Sequence, residues 1–156
     1  MASGGLLGNR RGPFCALVAL VCASISSLVG QEEAQKAPSS VWDGIYSEAQ
    51  AARGEAGYRE ACRSCHGDDL DGKGPVPPLA GSDFTGNWNG MSVGDLFEKM
   101  QTQMPADRPG ELSKEQNAAI LAYILKYNMF PPGKNDLPAN TDALKRIRMD
   151  AKKSAP

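Results

Sequence analysis

The chain has 156 residues, of which 41% are hydrophobic and 22% are charged. This length fits one domain of ordinary size with flanking segments. The 17 basic and 18 acidic side chains nearly balance, which argues against a nucleic-acid-binding protein, because such proteins carry a strongly basic surface.

The first thirty residues predict a secretory signal peptide. Arg10 and Arg11 form a positively charged start, and an uncharged apolar run follows from Phe14 to Gly30. We expect cleavage near Gly30 and therefore an exported, periplasmic protein. A run of about 17 residues is at the lower limit for a bilayer-spanning helix, so the alternative is an uncleaved membrane anchor.

The rest of the chain predicts an all-α domain between two polar segments. Residues 31–44 are expected to be a polar linker, residues 45–130 a folded domain and residues 131–156 a polar, basic tail. Ser47 is a suitable N-cap for a first helix that runs to about Ser64. No stretch shows the alternating pattern of a strand.

Two further helices are predicted after a long loop. Residues 67–90 are rich in Gly, Pro, Asp and Asn and are expected to be mostly loop. A second helix is expected from Val93 to about Gln103. A third follows Ser113, where Gln116 completes a capping box, and it stops before Pro131. Three helices with long loops bury little surface by themselves, so a non-protein group is expected to fill the centre.

The motif Cys62-Arg63-Ser64-Cys65-His66 is typical of covalent haem attachment. On a helix, Cys62 and Cys65 lie one turn apart on the same face, so both thiols can reach the vinyl groups along one haem edge. His66 then brings an imidazole under the iron. The alternatives are a redox disulfide, which expects a βαβ context, and half of a zinc site, which lacks a second ligand pair. A third is a plain surface histidine, although His66 is the only histidine present. We predict one covalent haem c.

The second axial ligand is expected to be a methionine or to be missing, because the chain has no second histidine. Met104 is favoured because Pro105 follows it in a loop that is able to cross the haem face, and proline restricts the backbone there. The other candidates after residue 30 are Met91, Met100, Met129 and Met149.

Residues from about Glu48 to Met129 resemble a class I, mono-haem cytochrome c. The haem signature of that family corresponds to the Cys62–His66 motif, and its axial methionine to Met104 in Gln103-Met104-Pro105. Its proline, whose carbonyl accepts a hydrogen bond from the ligand histidine, corresponds to Pro77 in Val76-Pro77-Pro78-Leu79-Ala80-Gly81.

The resemblance implies a cytochrome c fold, in which three main helices and long loops wrap around one covalently bound haem. It also implies that the first and last helices cross, with Gly54 and Tyr58 facing Ile120 and Tyr123. Side chains expected in the wall of the haem site include Leu79, Trp88 and Phe97.

The function implied is one-electron transfer, without catalysis, between exported redox proteins. A dehydrogenase and a terminal oxidase are the candidate partners, because residues 109–125 resemble small cytochromes that accompany quinoprotein or flavoprotein dehydrogenases. Nucleic acid is not expected as a partner, and a membrane only if residues 1–30 are retained. Two alternatives remain: a haem subunit of a dehydrogenase complex, and a haem sensor or peroxidase-like protein if Met104 does not bind the iron.

Overall fold

The computed structural model describes residues 38–153. The predicted signal peptide, residues 31–37 of the predicted linker and residues 154–156 lie outside this range. Within it the chain forms helices and loops, with three isolated β-bridges and no named strand, so the all-α class is confirmed. The α-helices are α1 (Glu48–Ala61), α2 (Arg63–His66), α3 (Gly81–Trp88), α4 (Val93–Gln103), α5 (Lys114–Tyr127) and α6 (Thr141–Leu144), and a 3-10 turn (Val41–Asp43) precedes them.

Helices α1 and α5 cross at close range. Each begins where the sequence predicts, because the Ser47 and Ser113 hydroxyls accept hydrogen bonds from backbone N–H groups of the first turn. At the crossing, a Cβ atom added to Gly54 would lie 1.8 Å from the carbonyl oxygen of Ala119. One turn further, the rings of Tyr58 and Tyr123 are 5.4 Å apart. The crossing therefore depends on a residue without a side chain.

Helix α4 presents an apolar face to the core. Ser92 and Asp95 form its capping box, and these hydrogen bonds hold the pKa of the Asp95 carboxyl below its usual value. Leu96, Phe97 and Met100 are buried. The helix ends at Gln103, which places Met104 directly after it.

Helix α3 lies in a stretch that the sequence predicts as loop. Gly81 and Gly86 lower its intrinsic helix propensity. The helix nevertheless forms with Phe84 fully buried and Trp88 packed at the edge of the core. Burial of these two rings outweighs the local preference for loop.

The predicted polar tail is corrected by the structure for residues 131–150, which we call the C-terminal strap. Its apolar side chains Leu137, Leu144, Ile147 and Met149 are buried. They stand among charged residues without helical or strand periodicity, so the sequence pattern did not reveal them. The strap therefore belongs to the folded core.

The predicted linker is corrected in the same way from residue 38 onwards. Val41 is fully buried, and the indole of Trp42 donates to the backbone carbonyl of Asp150 at 2.8 Å. Val41 also donates its backbone N–H to Arg148 at 3.0 Å. The first described residues thus pair with the end of the strap.

The strap also lies along α4. Val93 donates its backbone N–H to Ile147 at 2.8 Å. A Cβ atom on Gly94 would come within 2.5 Å of the backbone nitrogen of Lys145, and the Lys145 ammonium pairs with Glu98 at 2.9 Å. The strap therefore fixes the outer side of the helix that leads to Met104. In the part of the chain that the structure describes, no helix is long and apolar enough to cross a membrane.

Candidate haem site

The two motif cysteines lie on one short turn. Cys62 occupies the break between α1 and α2, and its carbonyl accepts from the backbone N–H groups of Cys65 at 3.2 Å and His66 at 3.0 Å. Both thiols are free, with Cys65 exposed and Cys62 half-buried. Burial, with a smaller contribution from Cys65, raises the pKa of the Cys62 thiol to about 11. Before any attachment, the Cys62 thiol is therefore neutral at pH 7.

The imidazole of His66 is buried and has one defined partner. Its Nδ1 lies 3.0 Å from the carbonyl oxygen of Pro77. A carbonyl oxygen can only accept, so Nδ1 carries the proton and donates it. This tautomer leaves the lone pair of Nε2 available to a metal.

The loop after His66 folds back so that Pro77 reaches the ring. Gly72 donates its N–H to the carbonyl of His66 at 2.9 Å, and the Tyr58 hydroxyl donates to the carbonyl of Gly67 at 2.8 Å. Gly72 has a φ of +76°, and a Cβ atom there would lie 2.3 Å from the carbonyl oxygen of Val76. A glycine is therefore required where the two sides of the loop meet.

A residue that sequence reasoning missed, Asn128, holds the end of this loop. Its side-chain amide donates to the carbonyl of Leu79 at 2.9 Å, and its oxygen accepts from the N–H of Gly81 at 3.0 Å. Leu79 in turn donates its backbone N–H to Leu70 at 2.7 Å. An asparagine close to the end of the predicted third helix was the available signal.

The methionine candidates occupy different environments. Met104 caps the end of α4 through its backbone N–H, and its side chain is half-buried beside the buried Pro105. Met100 lies in the core, and Met149 is buried in the strap rather than in a solvated tail. The other two, Met91 and Met129, are exposed.

The expected wall residues lie in or against the core. Phe97 is fully buried on α4, whereas Leu79 and Trp88 are partly buried and pack against the core cluster. They come from three separate segments: the loop after His66, α3 and α4.

A cleft of about 490 Å³ opens between the end of α1, the start of α5 and the loop after Met104. Ala61 and Pro105 both line it, and they are the chain neighbours of Cys62 and Met104. The residue before the cysteine motif and the loop after α4 therefore border the same cleft. The charged side chains in its lining are nearly balanced: Arg53, Arg108, Glu60, Glu111 and Glu115.

The donor set of the site fits haem c. It offers two thiols one turn apart, a buried imidazole with Nε2 free, and the half-buried thioether of Met104 directly after α4. For the zinc alternative, residues 38–153 contain no group of three or more His, Cys, Asp or Glu side chains that could hold a metal ion.

The family model described as cytochrome c oxidase, cbb3-type, subunit III, matches residues 49–124. This range includes the cysteine motif, α4 and the crossing of α1 with α5. Residues 49–124 form a class I cytochrome c domain. The cofactor of the domain is covalently bound haem c, and its function is electron transfer.

Among solved structures, the sulfane dehydrogenase SoxCD from Paracoccus pantotrophus aligns with this cytochrome at a TM-score of 0.45 and 21% sequence identity. The alignment covers 69% of this chain and 61% of that chain. A search of curated proteins gave no match.

Proposed function

We propose that this cytochrome is a freely acting one-electron carrier whose iron is bound by His66 and Met104. The observation that carries the proposal is the hydrogen bond from His66 Nδ1 to Pro77, because it orients the imidazole with Nε2 free beside the two cysteines. Residues 45–130 form the cytochrome domain, and we extend it to include the strap up to residue 150.

The cysteines attach the cofactor. The thiols of Cys62 and Cys65 each add across one vinyl group, so that sulfur bonds to one carbon and the thiol proton moves to the other. No oxidant is consumed. Once attached, haem c supplies one-electron exchange at its iron. Because both thiols lie on the turn that ends at His66, attachment also presents that imidazole to the same group.

Bound by His66 and Met104, the iron would have no open position for a substrate. The carbonyl of Pro77 holds the Nδ1 proton of His66, which makes Nε2 a stronger donor. The Met104 thioether is a softer donor and raises the reduction potential compared with a second histidine. With both positions taken, the protein transfers electrons and releases no product. Phe97, Trp88 and Leu79 limit the access of water.

The proposed partners are exported redox proteins, among them a dehydrogenase or a terminal oxidase. Attachment of haem c takes place outside the cytoplasm, in agreement with the signal peptide proposed for residues 1–30. The charges that line the cleft beside Ala61 and Pro105 nearly balance. Docking at this cleft is therefore expected to depend only weakly on ionic strength.

The test uses protein matured in a periplasm that contains haem-attachment machinery. Absorption spectra of the oxidised and reduced forms are compared for the wild type, Met104→Ala and the control Met129→Ala, whose methionine is 82% exposed. We expect the weak long-wavelength band of a methionine–Fe(III) bond in the wild type and the control, and its loss in Met104→Ala.

Carbon monoxide separates the remaining possibilities. The ferrous wild type is expected to bind it poorly, and Met104→Ala readily. A high-spin wild type that binds carbon monoxide readily would overturn the carrier proposal and favour the sensor or peroxidase-like alternative. Co-purification with an enzyme in stoichiometric amounts would favour a subunit of a dehydrogenase complex.

A further inference from the structure

The side chain of Asn128 joins the end of α5 to the loop that carries Pro77. Its amide nitrogen donates to the carbonyls of Leu79 at 2.9 Å and Ile124 at 2.8 Å. Its oxygen accepts from the N–H of Gly81 at 3.0 Å. Both N–H donors and the acceptor of this side chain are therefore used.

The loop has few backbone hydrogen bonds of its own near Pro77, because two prolines stand there. Pro77 and Pro78 have no backbone N–H, so this stretch has no amide with which to fix itself. The nearest backbone donors are Val76, which bonds to Lys73 at 3.0 Å, and Leu79, which bonds to Leu70 at 2.7 Å. The carbonyl of Leu79 and the N–H of Gly81 both form their described hydrogen bonds with the side chain of Asn128.

We propose that Asn128 is a positioning residue that sets the hydrogen bond between Pro77 and His66, and through it the reduction potential of the haem. The inference rests on the proposed role of His66 as an axial ligand. Asn128 holds Leu79 and Gly81, these fix the carbonyl of Pro77, and that carbonyl holds the Nδ1 proton of His66. If the Pro77 carbonyl is less well fixed, its hydrogen bond to His66 weakens. The imidazole then donates less electron density to the iron, which favours Fe(II) and raises the reduction potential.

The experiment compares Asn128→Ala with Ser113→Ala in the holoprotein. Ser113 is a matched control because it caps the other end of the same helix and is exposed. Both variants remove a helix cap and are expected to lower stability, but only Asn128→Ala also releases the loop. Three quantities are measured: the exchange rate of the His66 Nδ1 proton by NMR, the reduction potential and the midpoint of urea unfolding.

In Asn128→Ala, we expect the Nδ1 proton to exchange roughly thirtyfold faster and the potential to rise. The factor follows from the loss of about two net hydrogen bonds between the loop and α5. In Ser113→Ala the exchange rate of the Nδ1 proton and the reduction potential should stay at their wild-type values, although the midpoint of urea unfolding falls. Equal exchange rates and equal potentials in the two variants would overturn the inference.

A measurement on the wild type keeps the test independent of how well the variants fold. If Asn128 fixes the loop, the Gly81 amide and the His66 Nδ1 proton become exposed in the same opening event. Hydrogen exchange should then give the same opening free energy for both protons, and that free energy should fall with urea equally for both. A Gly81 amide that opens a hundredfold more often than the His66 proton would refute the coupling.

The two proposals fail in different ways. A wild type without the methionine–iron band overturns the assignment of Met104, but it leaves the exchange comparison intact. A wild type with that band, whose His66 proton and potential do not respond to Asn128→Ala, overturns only the role of Asn128.

Discussion

Gly54→Ala tests the crossing of α1 and α5. The new Cβ atom would lie 1.8 Å from the carbonyl oxygen of Ala119 and 2.4 Å from its carbonyl carbon. Both are backbone atoms in the middle of a helix and cannot rotate aside. To restore a contact of about 3 Å, the two helices must move apart by more than about 1 Å, because interiors are close-packed.

The expected loss of stability is about 3 kcal/mol. A gap of 0.5–1 Å already removes roughly a quarter to a half of the dispersion attraction between facing atoms. Overpacking against a flexible neighbour costs about 1–3 kcal/mol, and we take about 4 kcal/mol here because the neighbour is backbone. Replacing a helical glycine by alanine returns about 1 kcal/mol.

The assay is urea unfolding of the holoprotein, with two matched Gly→Ala controls in helices. A Cβ atom on Gly57 meets only side-chain atoms of Ile120, the nearest being Cγ1 at 3.1 Å, and one on Gly86 meets nothing within 4 Å. We expect a change within about 1 kcal/mol for Gly57→Ala and a gain of up to about 1 kcal/mol for Gly86→Ala. If Gly54→Ala proves as stable as Gly86→Ala, the close contact between α1 and α5 at Gly54 is refuted.

Two further predictions concern tyrosine ionisation and backbone strain. Burial, and secondarily the charge of Glu48, raises the pKa of Tyr46 to about 12, and its hydroxyl donates to Phe130 at 2.6 Å. A raised pKa stabilises the fold below pH 10 and loses that contribution as the pH approaches 12, so Tyr46→Phe should be about 1 kcal/mol less stable than wild type at pH 7. This difference in stability should vanish or reverse near pH 12, because ionisation of Tyr46 in the unfolded state then lowers the free energy of unfolding of the wild type by about 2 kcal/mol. A difference in urea unfolding that stays constant from pH 7 to pH 12 would contradict the prediction. Met129 has a φ of +63° and is 82% exposed. Met129→Gly should therefore raise the thermal midpoint of unfolding by the equivalent of about 1 kcal/mol. An unchanged or lower midpoint would show that the backbone at Met129 is not strained.

The sequence predicts the helices that have strong local signals. Ser47 and Ser113 mark the starts of α1 and α5, and apolar residues at helical spacing mark α4. Helix α3 was missed because its glycines favour a loop, and only the burial of Phe84 and Trp88 in the folded protein makes it stable. Such a contribution comes from tertiary packing and leaves no local pattern.

In the candidate site too, residues with a local sequence signal are predicted and residues placed by tertiary contacts are not. The cysteine motif is contiguous, so its chemistry is readable from the chain alone. The assignment of Pro77 needed a resemblance to a family, because a contact across a loop has no fixed spacing. Asn128 was not found, since its role depends on where α5 ends relative to Leu79 and Gly81. The strap was missed because Leu144 and Ile147 look like isolated apolar residues in a charged segment.

The pairing of the first described residues with the strap also imposes an order on the folding of the chain. Trp42 and Asp150 are separated by 108 residues, and closing a loop of that size costs roughly 4 kcal/mol of chain entropy. The helices, whose contacts are local, are therefore expected to form before the strap closes. During synthesis, the backbone N–H of Val41 and the indole of Trp42 have no hydrogen-bond partner until Arg148 and Asp150 have been added. Residues 148–150 thus close the structure over residues 41–42, and the haem motif lies between these two segments while the chain is still open.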